Sequence, residues 1–267
     1  MNRLDGKVAL IYGAARGIGA ETARQMVRAG ARVAIGDVLD ERGRQTVREL
    51  EKDGGSAIFV HLDVTSPDDW DAAIAAAVSK FGGLDILVNN AGVFLGRGVE
   101  QATLADWQRL CGVNLTGVFL GTKQAVPALR ERGRDSAQGS AIVNLASIAG
   151  LVGSQLDPLY SMTKGGVTSF TKSTALEFAR KGYRIRVNSI HPGVIETDMG
   201  AQTFAVRAER MGTNDVEAAR ELSLTSHPIG RLGTATDIAN GIVFLASDDA
   251  GFMTGAGLVV DGGYTAQ

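Results

Sequence analysis

The sequence predicts one doubly wound α/β domain: a parallel β-sheet covered by helices on both faces. Three observations carry that prediction. Short apolar runs of strand length alternate with amphipathic helical stretches along the whole chain. Several of those runs are apolar at every position, as expected of strands buried on both faces. Glycine is in excess, 35 of 267 residues, and clusters where strands turn into helices and the backbone must approach something closely.

Residues 7–12 (KVALIY) form the first predicted strand, followed by a helix over about 17–29. A second strand at 31–36 leads into an amphipathic helix at 40–52, with Asp40 placed to cap it. After a third strand at 56–61, a helix over 67–80 opens with Ser66 as N-cap and Pro67 at its first position. The fourth strand, 84–88, is bounded by Gly82-Gly83 and by Asn89-Asn90-Ala91-Gly92. Two longer helices, 104–132 and 157–181, accompany strands at 140–145 and 184–190. A helix near 235–247 and a strand at 257–261 complete a seven-stranded sheet.

No proline- or serine-rich linker and no repeat divides residues 1–267. The one long irregular piece, about 193–231, carries Met199, Phe204 and Met211 and a short helical pattern near 215–222. A stretch this long inside a compact domain predicts a substrate lid. Its apolar residues could line a pocket or pack the lid onto the core, and both readings stay open.

Formal charge is −2 and the charges are scattered, so neither a nucleic-acid footprint nor a polybasic membrane face is expected. No apolar run approaches the roughly 20 residues of a membrane span, and residues 1–5 lack the apolar stretch of a secretory leader. The single cysteine, Cys111, cannot form an internal disulfide, which points to a reducing, cytoplasmic setting. Cys111 itself reads as a small buried apolar residue. His61, His191 and His227 are far apart in sequence and read as structural rather than as zinc ligands. Trp70 and Trp107 fit helix anchors.

The segment Gly13-Ala-Ala-Arg16-Gly17-Ile18-Gly19 lies directly between the first strand and the first helix. Glycines there let the backbone turn tightly and approach a pyrophosphate, which rests on the helix N-terminus. The spacing differs from the usual G-x-G-x-x-G fingerprint, so position carries the argument more than letters do. Asp37, at the end of the second strand, is placed to bind an adenosine ribose and to repel a 2′-phosphate, which favours NAD over NADP. Arg16 is the competing feature, because a basic residue in this loop can hold a 2′-phosphate. Further on, Tyr160 and Lys164 stand at i and i+4 on a predicted helix, close enough for the ammonium to favour tyrosinate. Ser147, just past a strand, could hydrogen-bond the same substrate oxygen.

Taken together these residues resemble the short-chain dehydrogenase/reductase family over essentially the whole chain. Gly13/Gly17/Gly19, Asp63-Val64, Asn89-Asn90-Ala91-Gly92, Asn114, Ser147, Tyr160/Lys164 and Pro192-Gly193 stand in the family's order and spacing. The resemblance implies a Rossmann fold and a set of roles. Tyr160 would be the acid/base, Lys164 would lower its pKa and bind the nicotinamide ribose, and Ser147 would hold the carbonyl oxygen. Asn114 would order a water in a proton relay behind Lys164. Asp63 and Val64 would contact adenine, and Asn90, Ala91 and Gly92 would line the ribose side. Pro192, Gly193, Ile195 and Thr197 would fix the carboxamide. One departure is visible: Tyr12 stands where the family usually has threonine.

The resemblance favours an NAD-dependent dehydrogenase of apolar or alicyclic secondary alcohols, to which the C-terminal DGGYTAQ also points. A 3-oxoacyl-carrier-protein reductase using NADPH is the second reading, disfavoured by Asp37 and by the dispersed charge. A non-catalytic dinucleotide sensor is the third, disfavoured by the intact Ser147, Tyr160, Lys164 and Asn114. The two long helices resemble those that join subunits in this family, so a homotetramer is expected. Some relatives tie a metal to the C-terminal residue, here Gln267, but no metal is assigned.

Overall fold

All five residues of β1 (Val8–Tyr12) are buried, as a strand in the middle of a parallel sheet must be. The protein is described by a computed structural model covering residues 3–267. Met1 and Asn2, part of the stretch read above for a leader, lie outside the described residues. The other strands are β2 (Arg32–Asp37), β3 (Ala57–His61), β4 (Ile86–Asn89), β5 (Ser140–Leu145), β6 (Ile185–Pro192) and β7 (Gly257–Val260). They form a seven-stranded sheet in the order β3-β2-β1-β4-β5-β6-β7, parallel throughout. Ile11 pairs with Ile35 on one side and Val88 on the other.

Each face of the sheet carries its own apolar layer. On one, Ile11, Ile35, Val88 and Val143 pack against Met26 of α1 (Gly17–Arg28), Leu50 of α2 (Asp40–Lys52), and Ile238 and Ile242 of a helix at 235–246. On the other, Leu10, Leu87, Ile142 and Val187 meet Trp70 of α3 (Pro67–Phe81) and two long helices contributing Leu129 and Phe178. The chain winds outward from β1 to β3, then returns to the opposite side of β1 as β4. Strand order reverses there, and a crevice opens beyond the carboxyl ends of β1 and β4.

The predicted helix over 104–132 is three pieces: α4 (Leu104–Cys111), a wider π turn at Gly112–Thr116, and α5 (Gly117–Asp135). Asn114 sits in the π turn and is 1 % exposed. Such bulges are frequent at functional sites. The helix predicted to begin at 157 is α6 (Pro158–Arg180), with Asp157 as its N-cap and Pro158 in its first turn. Ser66 caps α3 as expected, accepting the Asp69 N–H.

Two expectations need correction. Asp40 does not cap α2: the N-cap residue is Leu39, which makes no side-chain cap bond, and Asp40 instead pairs with the His61 ring at 2.7 Å. Nor is 193–231 mainly irregular. It holds α7 (Asp198–Arg210) and α8 (Val216–Thr225), followed by α9 (Ala235–Ala246). Helix α7 has a faint apolar period in the sequence because only Gly200, Phe204 and Ala208 of it are buried.

Candidate active site

At the crevice the three glycines of the first loop do different things. Gly13 has φ +68°, and a Cβ there would fall 2.7 Å from the Ala91 Cα. Gly17 also has a left-handed φ and begins α1. A Cβ on Gly19 would lie 2.3 Å from the Gly13 carbonyl oxygen, so this glycine packs beneath the loop and does not line the crevice. The first turn of α1 has no acidic side chain, and its N-cap, Arg16, makes no side-chain cap bond. Its N–H groups are therefore suited to an anion.

The cleft has a volume of about 1100 Å³, room for a dinucleotide and a substrate together. Gly13, Arg16, Gly17, Ile18, Asp37, Asp63, Val64, Asn90, Ala91, Gly92, Pro192, Gly193, Ile195 and Thr197 all line it, as do Ser147, Tyr160 and Lys164. Asp37 fastens the loop, its two oxygens accepting the Ala15 and Leu39 N–H groups at 2.9 and 3.0 Å. Asp63 accepts both the N–H and the hydroxyl of Thr65. Asn90 donates to the carbonyls of Tyr12 and Gly13, and its Oδ1 is buried without a partner. Arg16 is paired with Asp198, the first residue of α7. An open helix N-terminus, a glycine cradle and an orphaned amide oxygen on one wall together fit a dinucleotide.

Beyond the glycine loop stand Ser147, Tyr160 and Lys164. Burial dominates their titration. It pushes the Tyr160 phenol up to about 12, with the facing Ser147 hydroxyl pulling the other way and Asp157 adding to the rise. The same burial brings Lys164 down to about 8. The Lys164 ammonium donates to the Leu145 carbonyl at 2.7 Å and lies 5.6 Å from the centroid of the tyrosine ring.

Asn114 lies behind this wall rather than in it. Its amide pairs with both backbone groups of Val93 and donates to the Thr163 hydroxyl, which in turn donates to the Tyr160 carbonyl. Asp157 also bears on the site: one oxygen accepts the Tyr160 N–H and the other those of Leu95 and Gly96. His191, wholly buried, bonds the Ser147 carbonyl through Nδ1 and the Ser189 hydroxyl through Nε2. Burial pushes its pKa below the usual value. His227 accepts the Val194 N–H and donates to the Ser223 carbonyl, joining the beginning of the 193–231 segment to its end. Asp-Pro before a helix was a readable cap signal for Asp157; nothing in the linear sequence announced the two histidines.

The far end of the cleft is walled by Phe94, Val152, Leu156, Met199, Met211 and Leu222. Phe94 stands edge-on to Tyr160, ring centres 5.6 Å apart. Met199 and Met211 thus face the cleft, whereas Phe204 is buried and does not line it. Cys111 is half-buried, with burial raising its pKa. Among the described residues, no helix is long and apolar enough to cross a membrane.

A crevice at the strand-order reversal, floored by a glycine cradle and lined by the Tyr160 phenol and the Lys164 ammonium, defines a dinucleotide-dependent oxidoreductase. A family profile described as Enoyl-(Acyl carrier protein) reductase matches residues 13–265. The chain belongs to the short-chain dehydrogenase/reductase family. It is 45 % identical over 264 residues to a 3-alpha-(or 20-beta)-hydroxysteroid dehydrogenase of Mycobacterium tuberculosis, covering 99 % of this chain and 91 % of the relative. It is 42 % identical to a trans-4-hydroxycyclohexanecarboxylate dehydrogenase of Sinomonas cyclohexanicum (99 % and 95 % covered). A cyclohexanol dehydrogenase of an Acinetobacter species is also 42 % identical (100 % and 98 %). The crystal structure of a short-chain type dehydrogenase/reductase from Mycobacterium marinum superposes with a TM-score of 0.86 at 31 % identity, covering 100 % of this chain and 98 % of that one. The protein is thus a dehydrogenase acting on alcohols, of a family that uses nicotinamide cofactors.

Proposed function

We propose that this dehydrogenase transfers hydride between NAD(H) and a secondary alcohol or ketone on an apolar, alicyclic framework, with Tyr160 as the acid/base. The observation that carries the reading is that Ser147, Tyr160 and Lys164 line one cleft together with the apolar side chains of Phe94, Val152, Leu156, Met199, Met211 and Leu222. Relatives named for cyclohexanol and hydroxysteroid support the alicyclic part.

Bound nicotinamide supplies the hydride acceptor or donor. The protein's residues handle the proton and the oxygen. Tyr160 takes the hydroxyl proton on oxidation and returns it on reduction. Ser147 holds the substrate oxygen. Lys164, with a pKa near about 8, is still protonated at neutral pH and offsets charge on the tyrosinate. Asn114 keeps the Val93 and Thr163 segments in register behind Tyr160 and, as the family resemblance implies, orders the water that relays protons to Lys164.

Asp37 supports NAD. Its carboxylate closes the end of β2 on the adenosine side, where a 2′-phosphate would meet negative charge. Pairing with Asp198 partly neutralises Arg16, the residue that would otherwise favour NADP. Asp63, Val64, Asn90, Ala91 and Gly92 are assigned to the adenosine side, and Pro192, Gly193, Ile195 and Thr197 to the carboxamide. In this reading residues 1–267 are one catalytic domain and 193–231 is its substrate lid. The lone cysteine and dispersed charge support a cytoplasmic setting. A homotetramer is supported by Phe119 and Leu176, large exposed side chains on α5 and α6.

Initial rates with NAD and NADP across cyclic, aryl and steroid secondary alcohols test the proposal. NAD preference with turnover of a ring alcohol is expected, and Tyr160→Phe should lower kcat by about 10²-fold or more. NADP preference, or activity confined to acyl thioesters, would overturn it.

A further inference from the structure

Helix α7 turns one stripe toward the cleft: Met199, Thr203, Arg207, Arg210 and Met211. Their spacing follows the helical period, so these side chains share one face. The two arginines on it differ in one respect. Arg210 is held by the backbone, donating to the carbonyls of Gln155 and Leu156. The Arg207 side chain, almost one turn earlier, makes no hydrogen bond or ion pair with any described residue, and its Nε is buried without an acceptor.

A cleft-lining guanidinium with no acceptor in the fold leaves its donors to a molecule in the cleft. Arg186 shows how the fold treats a buried arginine it uses internally: its Nε is likewise unpartnered, but its two Nη groups donate to the carbonyls of Leu245, Ala246, Ser247 and Ala250 around the end of α9. Nothing comparable serves Arg207. The acidic residues lining the cleft are Asp37, Asp63 and Asp198. The first two belong to the adenosine side, and the third is paired with Arg16. The substrate end therefore presents a cation, no carboxylate, and the apolar side chains of Phe94, Val152, Met199, Met211 and Leu222.

We propose that Arg207 receives a carboxylate of the substrate, so that the preferred substrates are alicyclic secondary alcohols carrying a carboxylate apart from the reacting hydroxyl. This deepens the alcohol dehydrogenase reading and rests on it. A planar guanidinium offers paired N–H donors that match the two oxygens of a carboxylate, while the ring occupies the apolar wall. The contact is made equally in ground and transition states, so it acts through KM rather than kcat.

The test uses ring-bearing secondary alcohols, each as the free carboxylate and as its methyl ester. Wild-type protein should favour the acid over the ester by about tenfold or more in kcat/KM, mainly through KM. Arg207→Met should bring the acid-to-ester ratio close to one, and Arg207→Lys should restore part of it. An acid-to-ester ratio near one in the wild type, or a ratio unmoved by Arg207→Met, overturns the proposal. Should no alcohol be oxidised, the dehydrogenase substrate reading fails, and calorimetric titration of the same acids and esters decides the carboxylate site. Acid binding about tenfold tighter than ester binding, lost in Arg207→Met, upholds the site; equal binding overturns it.

Discussion

Asn114 and Val93 are joined like residues of neighbouring strands: the Val93 N–H donates to Asn114 Oδ1 at 2.8 Å, and Asn114 Nδ2 donates to the Val93 carbonyl at 3.0 Å. A side-chain amide thus stands in for a backbone partner and fixes the segment carrying Phe94 against Tyr160. The π turn at Gly112–Thr116 is where the helix carries this amide. Asn114→Ala would leave both Val93 groups without these bonds. Loss of about 1–3 kcal/mol in urea unfolding and at least tenfold lower turnover are expected. Wild-type values for both would show that the clamp is dispensable.

Gly13 and Gly54 separate backbone strain from close approach. Both have left-handed φ, but a Cβ on Gly54 meets nothing within 4 Å, whereas one on Gly13 meets Ala91 at 2.7 Å. Gly54→Ala should destabilise by about 1 kcal/mol and leave dinucleotide affinity alone. Gly13→Ala should destabilise further and weaken dinucleotide binding by about tenfold or more. Fluorescence titration of both variants checks this; equal effects on binding would contradict it.

Tyr12 is fully buried, edge-on to Trp70 with ring centres 4.8 Å apart, and its hydroxyl has no hydrogen-bond partner. Tyr12→Phe keeps the ring and removes the orphaned hydroxyl. Stability should be unchanged or raised by about 1 kcal/mol. Tyr12→Thr, restoring the family's usual residue, should lose about 3 kcal/mol, because the ring leaves a cavity against Trp70. Thermal unfolding of the two variants gives opposite shifts, or the packing account fails.

Lys164 and Tyr160 make stability depend on pH in opposite directions. Lys164 falls from 10.5 to about 8 on folding, so between those values the unfolded chain holds a proton that the folded one has released. Stability from this group therefore rises with pH from about 8 to 10.5, by about 3 kcal/mol in all. Tyr160 rises from 10.0 to about 12, so the folded state keeps the proton there and stability falls with pH across that window. Urea unfolding of wild type and Lys164→Met at pH 7 to 9.5 should show the wild type gaining on the variant as pH rises. A constant difference would contradict the buried ammonium.

Much of the fold was legible because its signals are local. The apolar runs at 7–12, 31–36 and 140–145 are strands because they are buried on both faces, and Ser66-Pro67 is a cap wherever it occurs. The glycine loop could be placed from its position between a strand and a helix. Helix α7 is not legible in the sequence because its cleft-facing side carries Thr203 and Arg207 as well as methionines, so an apolar period never develops. Asp40 looks like a cap in sequence because its contact with His61 runs from α2 to β3, and the sequence holds no trace of that approach.

By itself the sequence determined the class of fold, the family, and the residue types that line the nucleotide end, since each depends on order and spacing along the chain. Only the tertiary structure decided that Asn114 clamps Val93 and that burial raises the Tyr160 phenol while the Ser147 hydroxyl opposes it. It also decided that Arg16 is drawn to Asp198 while Arg207 is left facing the cleft without a partner. The physical reason is common to all of these. Desolvation and pairing depend on which groups meet across distant segments, and those meetings are set by packing the helices on the sheet rather than by any local pattern.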